Sequence, residues 1–462
     1  MAIEESKKEN KHMVNMTAGP ILPILVSFAL PLMLGSLFQD LYNLADMTIA
    51  GYTIGDGALA AISATSGIVS FIMATSRGYN IGNAISVSNS FGGGDIEKTR
   101  RNLAGMFTLC YVLSISMTLL LVIGIKPLMR LINTPENLFD DAYRYVIIII
   151  LGLSFTMTYD LFACSFRALG NSKLPLVLLI ICSVLNIFLD LLFMYVLRMG
   201  VMGAALATII AQLISAVAAA VFFYRLYPEL RFRREDFKTV GIVAKDMFPL
   251  GIMGALTNSM YAIGWIFMQS GINSLGQNTL VAYAAYKKID MFAVIPSVAI
   301  ANTLSTFAAQ NFGAKQFKRI TKGIFNGIGL SLAINVVTFT IISLVGQPLI
   351  RLITNTKSDE VVLQAYTLLR ITVAFIWWQT TIMGFRFSIQ GMRKKLIPFL
   401  GTFFELIIRT VFALCFIPLI GYTAIAWAEA ACWVLGGIMM IICYFIIHGK
   451  EKRMYETQAT SV

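Results

Sequence analysis

Ten ionisable side chains stand inside stretches of sequence that are otherwise apolar. They are Asp40, Asp46, Asp160, Asp190, Lys287, Lys288, Asp290, Glu405, Arg409 and Glu429. An ionisable group in the apolar core of a bilayer costs several kcal/mol unless it faces a cavity or a partner. Each is therefore a candidate functional residue, because a buried acid can bind a proton or a cation and a buried base can neutralise an acid.

Four polar positions are expected at one depth. Asp190 lies about eight residues before the end of its apolar stretch, and Thr208 about eight residues into the next one. Asp46 lies at a comparable distance from the polar turn at Gly55. At 1.5 Å per residue, all three are roughly 12 Å below the same membrane surface. Asn186 precedes Asp190 by one helical turn and shares its face. We expect these four side chains to converge.

Such a group of oxygen atoms suits a proton or Na⁺. Two carboxylates close together in a low dielectric repel each other unless they share a proton or a cation. A site that loads on one side of the membrane and unloads on the other can couple transport to the membrane potential. The alternative interpretation is structural, with Asp46 capping a helix end and Asp190 pairing with a neighbouring polar group.

The charges of the second half do not repeat this pattern. Glu405 and Arg409 are spaced i, i+4, and the residues Lys287, Lys288 and Asp290 lie within one helical turn. We interpret both sets as structural pairs or gates rather than a second ion site. Glu429 either contacts a substrate or bonds to a neighbouring helix.

The elements that must position these residues are membrane-spanning helices. Of the 462 residues, 57% are hydrophobic and 13% are charged, against roughly 25% charged residues in a soluble domain. A span needs about 20 apolar residues in a helix. The candidates cover approximately residues 18–50, 57–88, 99–124, 139–166, 174–197, 201–226, 240–270, 278–309, 319–346, 360–389, 396–419 and 422–448. These continuous runs predict an all-α integral membrane protein with twelve transmembrane helices, not a β-barrel.

We expect the protein to lie in the plasma or inner membrane of the cell. Both of its termini are expected on the cytoplasmic side. The chain has 36 Lys and Arg against 24 Asp and Glu, and the cations cluster on the side of the termini. The opposite side carries only Lys126, Arg130, Arg198, Arg351 and Lys357. The expected domains are a cytoplasmic segment 1–17, a bundle 18–227, a cytoplasmic linker 228–239, a second bundle 240–448 and a tail 449–462.

The two halves share landmarks at an offset of 221 residues. Phe91 and Gly92 recur as Phe312 and Gly313, and Pro127 and Arg130 recur as Pro348 and Arg351. Gly170 matches Gly391, and Gly200 matches Gly421. Because each half holds an even number of spans, we expect two parallel six-helix bundles related by a pseudo-twofold axis along the membrane normal.

The sequence offers few residues for metal binding or enzymatic catalysis. The six cysteines lie in apolar segments without a CxxC motif, and the two histidines stand at opposite ends of the chain. The GxxxxGK[ST], GxSxG and HExxH patterns are absent from the sequence. We therefore expect neither an enzyme nor a nucleic-acid-binding protein. We also expect no cofactor, and no metal site beyond Na⁺ at the four converging residues.

The succession of motifs resembles the multidrug and toxic compound extrusion (MATE) family of prokaryotes. The resemblance runs from the proline and aspartate of the first span, through Asn186 and Asp190, to the second-half motifs before Asp290 and Gly313. In members with an N-terminal coupling site, it implies that Asp46, Asn186, Asp190 and Thr208 bind the coupling ion. One departure is Asp160, where the family is expected to show Asn. Another lies in the seventh span, which has Thr257 and Asn258 in place of an intramembrane Glu.

The resemblance implies a secondary active exporter that exchanges amphipathic, often cationic organic compounds for H⁺ or Na⁺ by alternating access, working as a monomer. Besides the coupling residues, the candidates for the coupling site or substrate cavity are Asp40, Asp160, Tyr42, Tyr159, Tyr261, Asn258 and Glu429. The alternative function is a flippase of lipid-linked sugar precursors, for which Lys287 and Lys288 supply the cations that a pyrophosphate would need.

Overall fold

The structure, a computed structural model, describes residues 14–354, 356 and 358–460. Most of the predicted N-terminal segment, Lys357 and the last two residues of the tail lie outside this range. The described chain is helical throughout, as the apolar runs predict.

In the described residues, the first half contains seven α-helices. They are α1 (Ile21–Gly92), α2 (Ile96–Leu131), α3 (Glu136–Leu151), α4 (Leu153–Ala168), α5 (Lys173–Asp190), α6 (Val201–Leu226) and α7 (Arg234–Lys238). A π-helical segment, Leu191–Val196, continues α5, and a short 3₁₀ helix, Pro228–Leu230, precedes α7.

The described part of the second half contains seven more α-helices. They are α8 (Val240–Asn273), α9 (Gln277–Gly313), α10 (Phe317–Thr354), α11 (Asp359–Gly391), α12 (Leu396–Val411), α13 (Ile417–Ile420) and α14 (Thr423–Thr460). A second π-helical segment, Phe412–Phe416, joins α12 to α13.

These helices cover the predicted spans, with one difference at the fourth. Ten helical stretches of the described chain are long and apolar enough to cross a bilayer, and α3 with α4, bent by 47°, forms an eleventh. The predicted first and second spans are both helical and meet at Gly55, whose φ of 79° and ψ of 174° are not helical, so α1 consists of two helices joined at a kink. The helix beyond Gly55 covers the predicted second span but is not among these eleven stretches. The predicted fourth span is two helices because Gly152 breaks it, which its residue pattern does not reveal.

The chain divides into two compact units. The N-terminal unit comprises Val14 and Leu34–Ala255, and the C-terminal unit comprises Asn15–Met33 and residues 256–460. Each unit has its own apolar core, one containing Met106, Phe162 and Phe223, the other Tyr286, Leu368 and Tyr444. The expected domain limits, including the linker at 228–239, stay a prediction.

Backbone turns repeat between the halves and correct one sequence match. The left-handed residues Gly55, Gly94 and Gly200 have counterparts at Gly276, Lys315 and Gly421, each 221 residues later. The counterpart of Gly170 is Arg393, because both stand two residues after the last residue of a helix and have φ of 86° and 63°. The match of Gly170 with Gly391 is therefore wrong by two residues, since Gly391 is the last residue of a helix and not the turn residue after it.

Glycines allow two helices of the N-terminal unit to touch. A Cβ atom on Gly82 would lie 2.3 Å from the Leu250 carbonyl oxygen, and one on Gly254 would lie 2.3 Å from the Gly78 carbonyl oxygen. Small residues permit such close approach of helix backbones in membranes. The second part of α1 and the start of α8 are thus packed backbone to backbone.

The segment between the halves is anchored to the N-terminal unit by a buried ion pair. Arg100 Nε lies 2.8 Å from Asp236 Oδ2, and Asp236 is only 1% exposed. The same carboxylate accepts the Arg233 backbone N–H at 2.7 Å and so fixes the start of α7.

Asp236→Asn is expected to lower the melting temperature of the purified protein, because it leaves Arg100 as an uncompensated buried charge worth about 3 to 5 kcal/mol. Glu235→Gln is the matched control, since Glu235 is the exposed neighbour in the same helix. Equal melting temperatures for the two variants, measured by thermal unfolding in detergent, would contradict this assignment.

Candidate cation-coupling site

Asn186 is the centre of a buried polar cluster in the N-terminal unit. With its amide oriented to satisfy both of its atoms, the nitrogen donates to Asp190 Oδ2 and to the Tyr42 hydroxyl, each at 3.0 Å. Its oxygen accepts the backbone N–H of Thr208 at 3.1 Å. Asn186 is 1% exposed and Asp190 is 0% exposed. One amide thus joins α1, α5 and α6.

The second acid, Asp46, meets the first. The Asp46 and Asp190 carboxyl groups are side-chain hydrogen-bond neighbours. Two carboxyl groups can bond to each other only if one carries a proton or a cation lies between them. Asp190 Oδ1 is buried and has no hydrogen-bond partner among the described residues. The pair therefore has an acceptor position available for a proton or small cation.

Helical spacing presents the polar side chains of α1 and α5 to each other. Tyr42 and Asp46 are separated by four residues on α1, and so are Asn186 and Asp190 on α5. Side chains at i and i+4 share a helix face. The π-helical segment begins directly after Asp190, and π-helical turns are frequent at functional sites.

Two features of the cluster differ from the sequence interpretation. The Thr208 hydroxyl donates to the Ala204 carbonyl at 3.0 Å, so the Thr208 backbone N–H, not its hydroxyl, contacts Asn186. Tyr145 of α3 is an electrostatic neighbour of both acids. Its sequence context, an apolar run, carries no signal for this position.

The other acids of the N-terminal unit are not part of the cluster. Asp40 precedes Asp46 by six residues and therefore lies on a different face of α1. Asp160 has the guanidinium groups of Arg77 and Arg167 as its charged neighbours. Tyr159 is buried next to it. Arg77 was missed by sequence reasoning because its helix, α1, is distant in sequence from α4.

The C-terminal unit contains a buried network of two arginines and two glutamates. Arg409 Nε and Nη2 donate to the two oxygens of Glu429 at 3.0 and 3.2 Å, and Arg409 Nη1 donates to Glu405 at 3.4 Å. Arg386 Nη1 donates to Glu405 at 2.6 Å. All four residues are 4% exposed or less. Each charge thus faces an opposite one, as the spacing of Glu405 and Arg409 predicts, and Arg386 adds a cation that the spacing does not indicate.

The remaining candidates of this unit lie beside that network. Tyr261 stacks under the Arg409 guanidinium, which is 5.0 Å from its ring centre. Asn258 is half-buried and precedes Tyr261 by nearly one turn of α8. Lys287 Nζ lies 3.4 Å from Asp290 Oδ2, whereas Lys288 is exposed. Glu429 bonds to the neighbouring helix α12, which is one of the two roles expected for it.

Comparison with known proteins places the chain in a family. The sequence profile of the MatE family matches residues 31–192 and 249–415. This chain belongs to the MatE family. The probable multidrug resistance protein YpnP of Bacillus subtilis (strain 168) is 30% identical to this MATE protein over 309 residues, covering 66% of this chain and 68% of YpnP. The multidrug export protein MepA of Staphylococcus haemolyticus (strain JCSC1435) is 21% identical over 464 residues, 96% of each chain.

Solved structures agree with this membership. A crystal structure of MATE in complex with MaL6 superposes with a TM-score of 0.89 at 21% identity, covering 96% of this chain and 100% of that chain. The outward-facing structure of a multidrug resistance MATE family transporter gives 0.88 at 20% identity, covering 96% and 99%. At these identities the likeness shows the fold alone. The protein is a multi-pass MATE family membrane transporter.

Arg409→Met is expected to destabilise this MATE protein strongly, because it leaves Glu429 buried without the cation that bonds both of its oxygens, at a cost of about 3 to 5 kcal/mol. The same change at the exposed Arg370 of α11 is the control. Melting temperatures in detergent measure both. If the Arg409→Met and Arg370→Met variants have the same melting temperature, the network does not stabilise the C-terminal unit.

Proposed function

We propose that this protein is a secondary active multidrug exporter, which exchanges amphipathic, often cationic organic compounds for a coupling ion by alternating access. The observation that carries the proposal is the contact between the Asp46 and Asp190 carboxyl groups, joined to α1 and α6 through Asn186. The multidrug relatives YpnP and MepA support the substrate class.

Coupling follows from the electrostatics of the acid pair. When both acids are ionised, they repel each other and attract an organic cation. When a proton or Na⁺ arrives, the repulsion ends and the two side chains can bond. Since Asn186 links this pair to three helices, occupancy of the pair changes the packing of α1 against α5 and α6. We infer that this change weakens the hold on a substrate when the site faces outward.

The hydrogen bonds at the site favour a proton over Na⁺. The Asn186 oxygen already accepts the Thr208 N–H. The Thr208 hydroxyl donates within its own helix. A hard metal cation prefers several oxygen ligands, whereas a proton needs only the two carboxyl groups. We therefore propose H⁺ as the coupling ion, with Na⁺ as the alternative that the experiment below must exclude.

We also propose that both termini lie in the cytoplasm, because the loops on their side carry most of the Lys and Arg residues. The alternative function as a flippase of lipid-linked sugars loses its main support. Of the two lysines that would hold a pyrophosphate, Lys287 lies 3.4 Å from Asp290 Oδ2, which offsets its charge, and Lys288 is exposed.

Ethidium efflux from liposomes containing the purified full-length protein tests the proposal. A pH gradient and a Na⁺ gradient are imposed separately. We expect export under the pH gradient and none under the Na⁺ gradient. Asp46→Asn is expected to abolish export under the pH gradient, because a neutral amide cannot exchange a proton. The control Asp40→Asn is expected to retain export. Export by Asp46→Asn at the wild-type rate would overturn the mechanism.

The two acids are expected to act as one unit. If they share one proton, Asp190→Asn should lose gradient-driven export as completely as Asp46→Asn, and the double variant should be no worse than either single one. Initial efflux rates of the three variants under one pH gradient measure this. Residual export that falls stepwise from single to double variant would show that the two acids bind ions independently.

A further inference from the structure

The side chain of Lys287 occupies a small cage in the C-terminal unit. Its ammonium nitrogen lies 3.7 Å from the centre of the Trp265 ring and 3.4 Å from Asp290 Oδ2. The Tyr286 ring centre is 5.4 Å away. α8 supplies the tryptophan and α9 supplies the other three residues.

The walls of this cage have the composition that recognises an organic ammonium ion. An aromatic face attracts a cation through its quadrupole, best of all when the ring is Trp. A carboxylate adds the opposite charge. Asp290 is 6% exposed, and its second oxygen, Oδ1, is buried without a hydrogen-bond partner in the described part of the chain. Lys287 and the Tyr286 hydroxyl are its near side-chain neighbours, and Oδ1 is open to a further contact.

Lys287 is held loosely in comparison with the neighbouring arginine. Its single contact with Asp290 is long, and its side chain is 33% exposed. Arg409 lies near the same tryptophan, 5.7 Å from the ring centre, but it is fully buried and bonded to both oxygens of Glu429. A lysine ammonium on a flexible stem can leave such a position, whereas a bidentate buried arginine is fixed.

We propose that this cage is a binding site for the ammonium group of an organic cation, and that Lys287 fills it as a tethered substitute until the ligand displaces it. The proposal deepens the proposed export function by naming a substrate-binding position. One ammonium replaces another, so Asp290 keeps a counter-charge throughout and its charge is never left unpaired in the unit. The displaced Lys287 side chain moves to the accessible side.

A tethered competitor has a measurable signature. If Lys287 occupies the cage about nine-tenths of the time, its removal raises the apparent affinity of a ligand about tenfold. A merely structural ion pair gives the opposite sign, because removing the lysine would then damage the site. The direction of the affinity change therefore distinguishes the two roles.

Binding of benzyltrimethylammonium to the purified full-length protein, measured by isothermal titration calorimetry, tests the proposal. Lys287→Gln is expected to bind about tenfold more tightly than the wild type. Lys287→Arg, which keeps a cation, should not gain affinity, and Asp290→Asn should bind more weakly. Lys288→Gln is the matched control, since it removes the same charge one residue away on an exposed face, and it should bind as the wild type does.

The proposal would be overturned if Lys287→Gln bound the ligand with wild-type or weaker affinity. It would also be overturned if Lys288→Gln gained as much affinity as Lys287→Gln. If Lys287→Gln melts too early to assay, Lys287→Met keeps the length of the side chain and takes its place under the same criterion. Failure of this proposal is separable from failure of the export function. Gradient-driven ethidium export without tighter binding by Lys287→Gln refutes only the cage, and tighter binding without gradient-driven export refutes only the exporter.

Discussion

A charge inside a membrane-spanning helix must have a counter-charge or an exchangeable ion, and the two units meet this constraint in opposite ways. In the N-terminal unit, the Asp46 and Asp190 carboxyl groups are hydrogen-bond neighbours, and no cationic side chain is their partner in the described chain. In the C-terminal unit, Glu405 and Glu429 bond to fixed arginines. The first arrangement is complete only when a mobile cation is present. The second is complete by itself, so it stabilises the unit without requiring transport.

The spacing of residues along the helices places the polar groups on shared helix faces. Pairs spaced i, i+4 supply Tyr42 with Asp46, Asn186 with Asp190, and Glu405 with Arg409. In the N-terminal unit, irregular backbone lies close by, since α1 breaks at Gly55 and α5 becomes π-helical after Asp190. Irregular helix turns loosen the regular hydrogen-bond ladder. A change in the charge of the acid pair therefore acts on helices that already depart from regular geometry.

Periodicity and depth predicted much of this fold and of the site. They gave the helical spans and the convergence of Asp46, Asn186 and Asp190, because both depend on spacing along one chain. They did not predict Tyr145, Arg77 or Arg386, because which helices become neighbours depends on tertiary packing. The depth argument also assigned the Thr208 hydroxyl to the cluster, whereas that hydroxyl bonds within α6. Spacing predicts where a residue lies on a helix, but it does not predict whether its backbone or its side chain makes the contact.

The two halves share backbone turns but not the side chains of the acid pair. Turns with positive φ stand at equivalent positions of the two halves even where the second half carries a residue other than glycine, at Lys315 and Arg393 with φ of 60° and 63°. A non-glycine residue pays roughly 1 to 2 kcal/mol for that conformation, so the turn itself is what the fold requires. The side chains at mid-membrane carry no such requirement, and Val411 stands 221 residues after Asp190. Because an acid pair needs an exchangeable ion and an arginine network does not, the ion coupling that we propose requires only the N-terminal half, and the cation cage that we propose lies in the other half.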